Sequence, residues 1–498
     1  MYSTLSCDSF VSGVGGTYKF EGGFYGLMEV LGIWLSLFGL MYVAYQGFPV
    51  IVFAPIFALL AATLQGLPLM PAYTELFMGN AVTYIKAFFP VFLLGAVFGK
   101  VMEDTGLAKS IAHWIVDKVG HKNAILAVIV ACYVMTFGGI SLFVVVFAIY
   151  PFAANLFKEA DIPKRFIPGA IAAGSFTITM TAIPGTPQIQ NIIPTNFYGT
   201  NAYAAPVTGL VAAVIIFLCT VLWFNYRLRV AKARGEGYGK HTINEPDPNM
   251  DFSNLPSPVL SIIPLIVVVA VNYFVTFFVT FDPDSMKNLT AILGKPTPLM
   301  APGVKNVFGI WSLLIALVCG IGAAIIIGYK SMPKGMTMAK AINAGAIGSL
   351  LAIMNTASEV GYGNVIASLP GFKTISSFLL GIKFGGSPLV SEAITVNILA
   401  GITGSASGGM SIALAAMSKD WLAWANQVGL DPQMLHRIAS LACGGLDSLP
   451  HNGAVITLLA VCGLTHKESY IDIGMITVVA TVAVSFLMIA FHAITGLV

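Results

Sequence analysis

Apolar runs long enough to cross a bilayer recur from one end of this chain to the other, and that recurrence constrains its fold more than any motif. A helix needs about 20 consecutive apolar residues to span the hydrocarbon, and a stretch such as 210–224 carries no charge at all. Only 9% of the 498 residues are charged, against about 25% in an ordinary soluble domain. So few charges cannot cover a soluble surface of this size. With 57% hydrophobic residues and a mean hydropathy of +0.85, the fold class is an all-α polytopic membrane protein. No basic stripe is present, so no nucleic-acid partner is expected.

The six cysteines are scattered, mostly within apolar runs, with no Cys-x-x-Cys spacing. They read as small packing residues, and neither a metal nor a cofactor is expected. Residues 1–23 lack the basic start of a secretory signal, which makes the run from Phe24 a retained span and 1–23 an outside N-terminal segment.

The apolar pattern places spans at 24–45, 49–67 and 83–102, then an amphipathic stretch at 107–119. Long apolar regions at 124–157 and 166–194 and a span at 202–226 complete a first half, 24–226. A polar linker, 227–257, holds Arg227, Arg229, Lys232, Arg234 and Lys240. The second half, 258–498, has spans at 259–281, 307–329 and 341–355, then broken apolar stretches. Basic residues concentrate in cytoplasmic loops. The linker cluster and the Lys330, Lys334, Lys340 group therefore both belong inside, two spans apart. Counting back puts Lys100, Lys109, Lys118 and Lys122 inside and the N-terminus outside.

Four landmarks occur twice in the same order. Glu103-Asp104-Thr105-Gly106 parallels Ser358-Glu359-Val360-Gly361, each opening an amphipathic stretch, and Thr136 to Ser141 parallels Thr403 to Gly409. Ala160 to Pro163 parallels Gly429 to Pro432, and Ala182 to Gly185 parallels Ser448 to His451. The ordered set indicates duplication. On the charge topology the unit starting near Thr83 begins outside and the unit near Ala341 begins inside, the inverted-repeat pattern of secondary transporters.

Inside lipid, non-helical backbone is tolerated only where protein or water covers it. The glycine-rich turns predict re-entrant hairpins at about 123–157 and 386–425. Pro184-Gly185-Thr186-Pro187 and Asp447 to Gly453 predict unwound helices at about 166–198 and 433–464, because proline removes a donor and blocks helical geometry. Half-helix N-termini expose amides with partial positive charge, so four such elements meeting mid-bilayer would hold a small organic anion with few side-chain charges. The plainer alternative is that these residues only kink packed helices.

The candidate substrate ligands are Thr136, Gly138, Gly139, Ser141, Gly185, Thr186, Gln188 and Asn191 in the first half, with Gln190 and Thr195 nearby. In the second half they are Thr403, Ser405, Ser407, Gly408, Ser448, His451 and Asn452, with Thr457 nearby. For Gln and Asn the alternative role is helix-to-helix hydrogen bonding. Ionisable groups at depth cost about 2.5–3.5 kcal/mol or more each unless compensated, which singles out Asp447, His451 and Glu392 as coupling groups. Asp447 and His451 lie four apart, a spacing that suits proton sharing. His451 can equally be a wetted cap, and Glu392 can equally face water near a membrane surface. Glu103, Asp104 and Glu359 read as interface anchors at stretch ends, and no arginine is read inside the apolar stretches of either unit.

In layout the chain resembles the ion transporter superfamily, and within it the gluconate permease (GntP) type and its hydroxy-acid-transporting relatives. The residues that carry the resemblance are Thr136-Phe137-Gly138-Gly139, Ile183 to Pro187, Gly404 to Gly409 and Leu449 to Ala454. It extends over almost the whole chain from Phe24. The resemblance implies an elevator-type secondary carrier of small carboxylates in the bacterial inner membrane, working as a homodimer. Sodium-coupled dicarboxylate members carry Ser-Asn-Thr at hairpin tips and breaks, and this sequence has that triplet at none of the four places. A proton-coupled carrier of gluconate or a short hydroxy acid is therefore the expectation, with sodium coupling as the alternative. An enzyme is not expected. The distant alternative is an intramembrane serine hydrolase pairing Ser407 with His451, although that motif's leading glycine is replaced by Ser405. A passive channel would favour a continuous polar lining over discrete breaks.

Overall fold

The computed structural model describes residues 24–46, 48–119, 123–140, 142–245, 255–333, 335–381, 386–450 and 452–498. The segment 1–23 and two candidate ligands, Ser141 and His451, lie outside the described residues. No strand occurs among them.

Helices α1 (Phe24–Tyr45) and α2 (Val50–Leu64) come first. A set of seven follows: α3 (Leu69–Asp104), α4 (Leu107–Val119), α5 (Ala124–Phe137), α6 (Leu142–Glu159), α7 (Phe166–Ser175), α8 (Ile189–Tyr198) and α9 (Pro206–Ala233). Next are α10 (Pro258–Phe278), the short α11 (Ser285–Leu293) and α12 (Phe308–Gly328). The same succession then returns as α13 (Met338–Ser368), α14 (Pro370–Leu380), α15 (Leu389–Thr403), α16 (Ala406–Val428), α17 (Pro432–Cys443), α18 (Gly453–Cys462) and α19 (His466–Thr495). Each set runs from a long helix to a short amphipathic one, then to two helices packed across a tight turn. Two short helices with non-helical backbone between them and a long closing helix complete it.

Six described helices, α3, α9, α10, α12, α13 and α19, are long and apolar enough to cross a bilayer, and less than half of each most apolar window is buried. Lipid suits the remainder. On α9 the residues Leu210, Val214, Leu218 and Leu222 form an exposed row at a four-residue spacing, an apolar stripe with no protein cover. The short helices are the reverse. All ten residues of α7 are buried, as is α17 from Met434 to Cys443. The long helices therefore screen the short ones, whose interrupted backbone could not face lipid.

Small residues set how closely the two sets approach. A Cβ on Gly345 of α13 would lie 2.7 Å from the Val97 Cα of α3, so these helices touch backbone to backbone. On the other face of α13, Tyr362 closes a smaller core with Ile33 and Leu37 of α1 and Ala58 and Ala61 of α2. The Ser36 hydroxyl bridges the Phe57 carbonyl (2.7 Å) and the Tyr362 hydroxyl (3.1 Å) there.

The structure corrects one landmark. Ser358 to Gly361 does not open an amphipathic stretch but lies inside α13, which runs on to Ser368. The amphipathic counterpart of α4 is α14, and the stop signal is Pro370, before which Leu369 is forced extended. Gly361 and Gly363 stay helical because they serve packing, against the Phe77 carbonyl and Ile412. Glu359 is therefore a buried mid-helix residue and no interface anchor. Glu103 and Asp104 do end α3, paired with Lys100 at 3.3 and 2.9 Å. The described part of the linker before residue 246 is packed against the helices. Arg227, Arg229 and Lys232 extend α9, and 235–245 is tied down by Arg165–Glu236 (2.7 Å) and Lys164–Glu245 (2.6 Å).

Candidate functional site

Both tight turns are made by glycine. The α5–α6 turn bends at Gly139 with φ +95°, a left-handed conformation that side chains disfavour. Beside it, a Cβ on Gly138 would overlap Leu265 of α10. The α15–α16 turn bends at Gly404 with φ +62°, and the Ser405 hydroxyl then caps α16 by accepting from the Gly408 amide at 3.1 Å.

Both breaks are made by proline and glycine together. After α7 a wide turn at Ile178–Ala182 leads to extended backbone at Ile183 and to Gly185 at φ +82°, where a Cβ would overlap the Tyr203 ring. The helix resumes as α8 behind Gln188. In the second set, a short turn at Leu446–Ser448 follows α17, and the helix resumes as α18 behind Asn452, which accepts from the Val455 amide at 2.9 Å.

One relationship occurs in both sets. The Gln188 side-chain amide donates to the Thr136 carbonyl at 2.7 Å, so the cap of α8 holds the first turn. The Asn452 side-chain amide donates to the Gly404 carbonyl at 2.8 Å, so the cap of α18 holds the second. Each turn is thus joined to the break of its own set by a neutral amide. At both places the first amides of a half-helix stand beside uncharged polar groups, a setting that receives an anion through backbone dipoles.

The other sequence-derived ligands divide by their present occupation. Thr186 spends its hydroxyl on the Thr179 carbonyl, and Thr403 on Leu399. Thr195 and Thr457 likewise bond within their own helices. Ser448 donates to Asp447 at 3.0 Å, while its carbonyl accepts from Tyr470. Ser407 is half-buried on the first turn of α16. The Thr136 hydroxyl and the Gln190 carbonyl oxygen are buried without a partner. Asn191 is no loose ligand: its amide donates to the Thr186 and Ala202 carbonyls at 3.0 and 2.8 Å.

Of the coupling candidates, Asp447 is buried in the second break, within the hydrogen bond to Ser448. Glu392 does not face water. It is fully buried and accepts a hydrogen bond from Tyr198 of α8, so it joins the two sets.

The reading that no arginine lies inside either unit is overturned by Arg437. This α17 residue is fully buried and donates to the Ala204 carbonyl (2.6 Å), the Thr181 carbonyl (3.2 Å) and the Asn191 side-chain oxygen (3.0 Å). Its neighbour His436, also fully buried, bonds Thr200 (2.6 Å) and Asn191 (3.3 Å). No described acid pairs with the guanidinium, so its donors satisfy carbonyls freed by the first break. The signal was present in the sequence, since His436-Arg437 is an ionisable pair inside an otherwise apolar run. Tyr198 had no such local signal, because its partner Glu392 lies on another helix.

The GntP family permease profile matches residues 27–492. An uncharacterized transporter of Bacillus subtilis, YxjC, is 49% identical over 481 residues, 95% of this chain and all of the relative. The high-affinity gluconate transporter of Escherichia coli is 29% identical over 181 residues, 35% of this chain and 38% of that one. The gluconate permease of B. subtilis is 31% identical over 126 residues, 25% and 27% of the two chains. Among solved structures, the Alcanivorax borkumensis YdaH transporter, described as having an unusual topology, superposes with a TM-score of 0.52 at 14% identity. That match covers 89% of this chain and 97% of the other, and concerns the fold alone.

Proposed function

This chain belongs to the GntP permease family, a multi-pass membrane transporter by its family and its helices, and from that membership we propose that it is a proton-coupled symporter of small organic carboxylates. Gluconate or a short hydroxy acid is the substrate class, and the bacterial inner membrane is the setting. The observation that carries the reading is the paired join of break to turn, Gln188 to Thr136 and Asn452 to Gly404. It sets half-helix N-termini and uncharged polar side chains together twice, which recognises one carboxylate without an arginine clamp.

In this reading the two helix sets are inverted repeats with the N-terminus outside. The turn-linked pairs are re-entrant hairpins that move with the broken helices as an elevator, against a scaffold of long helices that also makes a homodimer. The substrate carboxylate lies between the hairpin tips and the caps of α8 and α18. Asp447 takes the coupling proton, with Glu392 as a second acid and His451 as its relay. A buried carboxyl crosses an apolar barrier far more cheaply when neutral, so loading a proton with the substrate anion moves both as an uncharged unit. Family and relatives are permeases, which points away from catalysis.

The test is uptake by purified protein in liposomes. Labelled gluconate, lactate and 3-hydroxybutyrate are offered under an inward proton or an inward sodium gradient. Accumulation driven by protons supports the reading, and accumulation driven only by sodium replaces the coupling ion. Leak without accumulation makes the protein a channel, and no flux of any of the three removes the carboxylate assignment.

A further inference from the structure

At the second turn a carboxylate from outside the hairpin stands against the N-terminus of α16. Glu359 lies in the middle of α13, only 4% exposed, and a Cβ on Gly408 would overlap its Oε2. That oxygen is buried and accepts no hydrogen bond. It stands at the first turn of α16, a helix of 23 residues, where the Ser405 hydroxyl already serves the Gly408 amide and the amides of Ala406 and Ser407 have no acceptor within the helix. Around it are the Ser405 hydroxyl, the Tyr84 hydroxyl of α3 and, beside Tyr84, the Ser411 hydroxyl of α16. The Tyr84 and Ser411 hydroxyls are themselves buried without partners. Three polar side chains from three helices thus meet in an apolar surround with unused hydrogen-bonding capacity, a cluster that is costly unless it has a task.

We propose that Glu359 is a proton-binding gate between α13 and the second hairpin: ionised, its carboxylate pins the α16 N-terminus, and protonated, it releases it. The attraction between a carboxylate and a helix N-terminus requires the negative charge, so one proton switches it. The only bond made or broken is the carboxyl O–H, with the proton drawn from one face and given up to the other. Tyr84 is the titratable group facing Glu359. Neighbouring α2 carries no titratable residue, Lys419 and Asp420 of α16 lie about three turns beyond Gly408, and Glu75 and Lys86 of α3 are exposed. The inference rests on the transport reading above, because the gate acts only if the hairpin moves against α13.

The experiment is the pH profile of substrate exchange in liposomes for wild type, Glu359→Gln and Glu359→Asp. Wild-type exchange is expected to fall at least tenfold from pH 5.5 to 8.5 as the acid ionises. The glutamine variant, locked in the neutral form, is expected to keep only the shallower fall that Asp447 imposes, with the aspartate variant restoring the steeper one. A wild-type profile in Glu359→Gln overturns the gate while leaving transport intact. Absence of exchange in wild type at every pH overturns the transport reading instead. Should Glu359→Gln not insert, wild-type protein is treated with dicyclohexylcarbodiimide, which modifies protonated carboxyls in apolar surroundings. Acid-dependent labelling of Glu359, read by mass spectrometry, supports the gate, and its absence at pH 5.5 overturns it.

Discussion

The Arg437 guanidinium donates to the Asn191 side-chain oxygen at 3.0 Å, tying the second broken helix to the first across 246 residues of sequence. Asn191 in turn holds the Thr186 and Ala202 carbonyls, and Arg437 the Ala204 carbonyl, so one buried cation supports much of the first break. A guanidinium suits this place because its donors form a rigid fork that meets several acceptors at once.

Arg437→Leu is accordingly expected to destabilise the protein by about 1–3 kcal/mol for each acceptor left unsatisfied. Arg437→Lys, which keeps the charge but not the fork, should fall between the two. Thermal unfolding in detergent, followed by tryptophan fluorescence, checks this. An unchanged midpoint in Arg437→Leu would mean that the break stands without its brace.

Gly138 and Leu265 form a steric pair, since any Cβ at 138 overlaps the leucine side chain. Gly138→Ala should therefore cut uptake at least tenfold. The double variant Gly138→Ala, Leu265→Ala should recover most of it, because the smaller partner returns the space. No recovery would locate the role of Gly138 in backbone conformation.

Asn452→Asp exchanges a neutral amide for an acid where the substrate carboxylate is proposed to lie. The Gly404 carbonyl loses its donor and the anion meets a like charge, so KM should rise about tenfold or more with protein yield preserved. Gln188→Glu should behave alike at the first turn. Normal KM in both variants would place the substrate elsewhere.

Asp447→Asn should abolish proton-driven accumulation while leaving exchange partly intact. The readout is accumulation under an inward proton gradient compared with counterflow without one. Unchanged accumulation would remove Asp447 from coupling.

Outside the spanning helices, Arg165 beside Glu236 holds that carboxyl below the ordinary glutamate range. A depressed acid adds stability that is complete above its unfolded pKa of about 4.3 and disappears as the pH falls through the folded value. Thermal stability should drop below about pH 4.5, with Glu236→Gln shallowing that slope and changing little at pH 7. A steeper acid slope in the variant would contradict the sign.

Much of the frame was legible in the residues themselves. The run 24–45 and the stretch 107–119 coincide in extent with α1 and α4. The bends at Gly139, Gly404 and Gly185 fall where glycine and proline stand, because hydropathy and backbone strain act within a few residues. The extent of α13 was misread for the same reason: its glycines look like a terminus locally and are in fact seats for Phe77 and Ile412.

What no local pattern carried is which polar groups satisfy one another. Glu392 receives the Tyr198 hydroxyl from 194 residues away, and the Ser440 hydroxyl of α17 reaches the Thr181 carbonyl across 259. The tight turns and the interrupted helices followed from the chain alone, since each segment must solve its own backbone hydrogen bonding in an apolar surround. The partners of Arg437, His436 and Glu392 were decided by the tertiary structure, since desolvated polar groups take their partners from whatever helix packing brings within 3 Å or so.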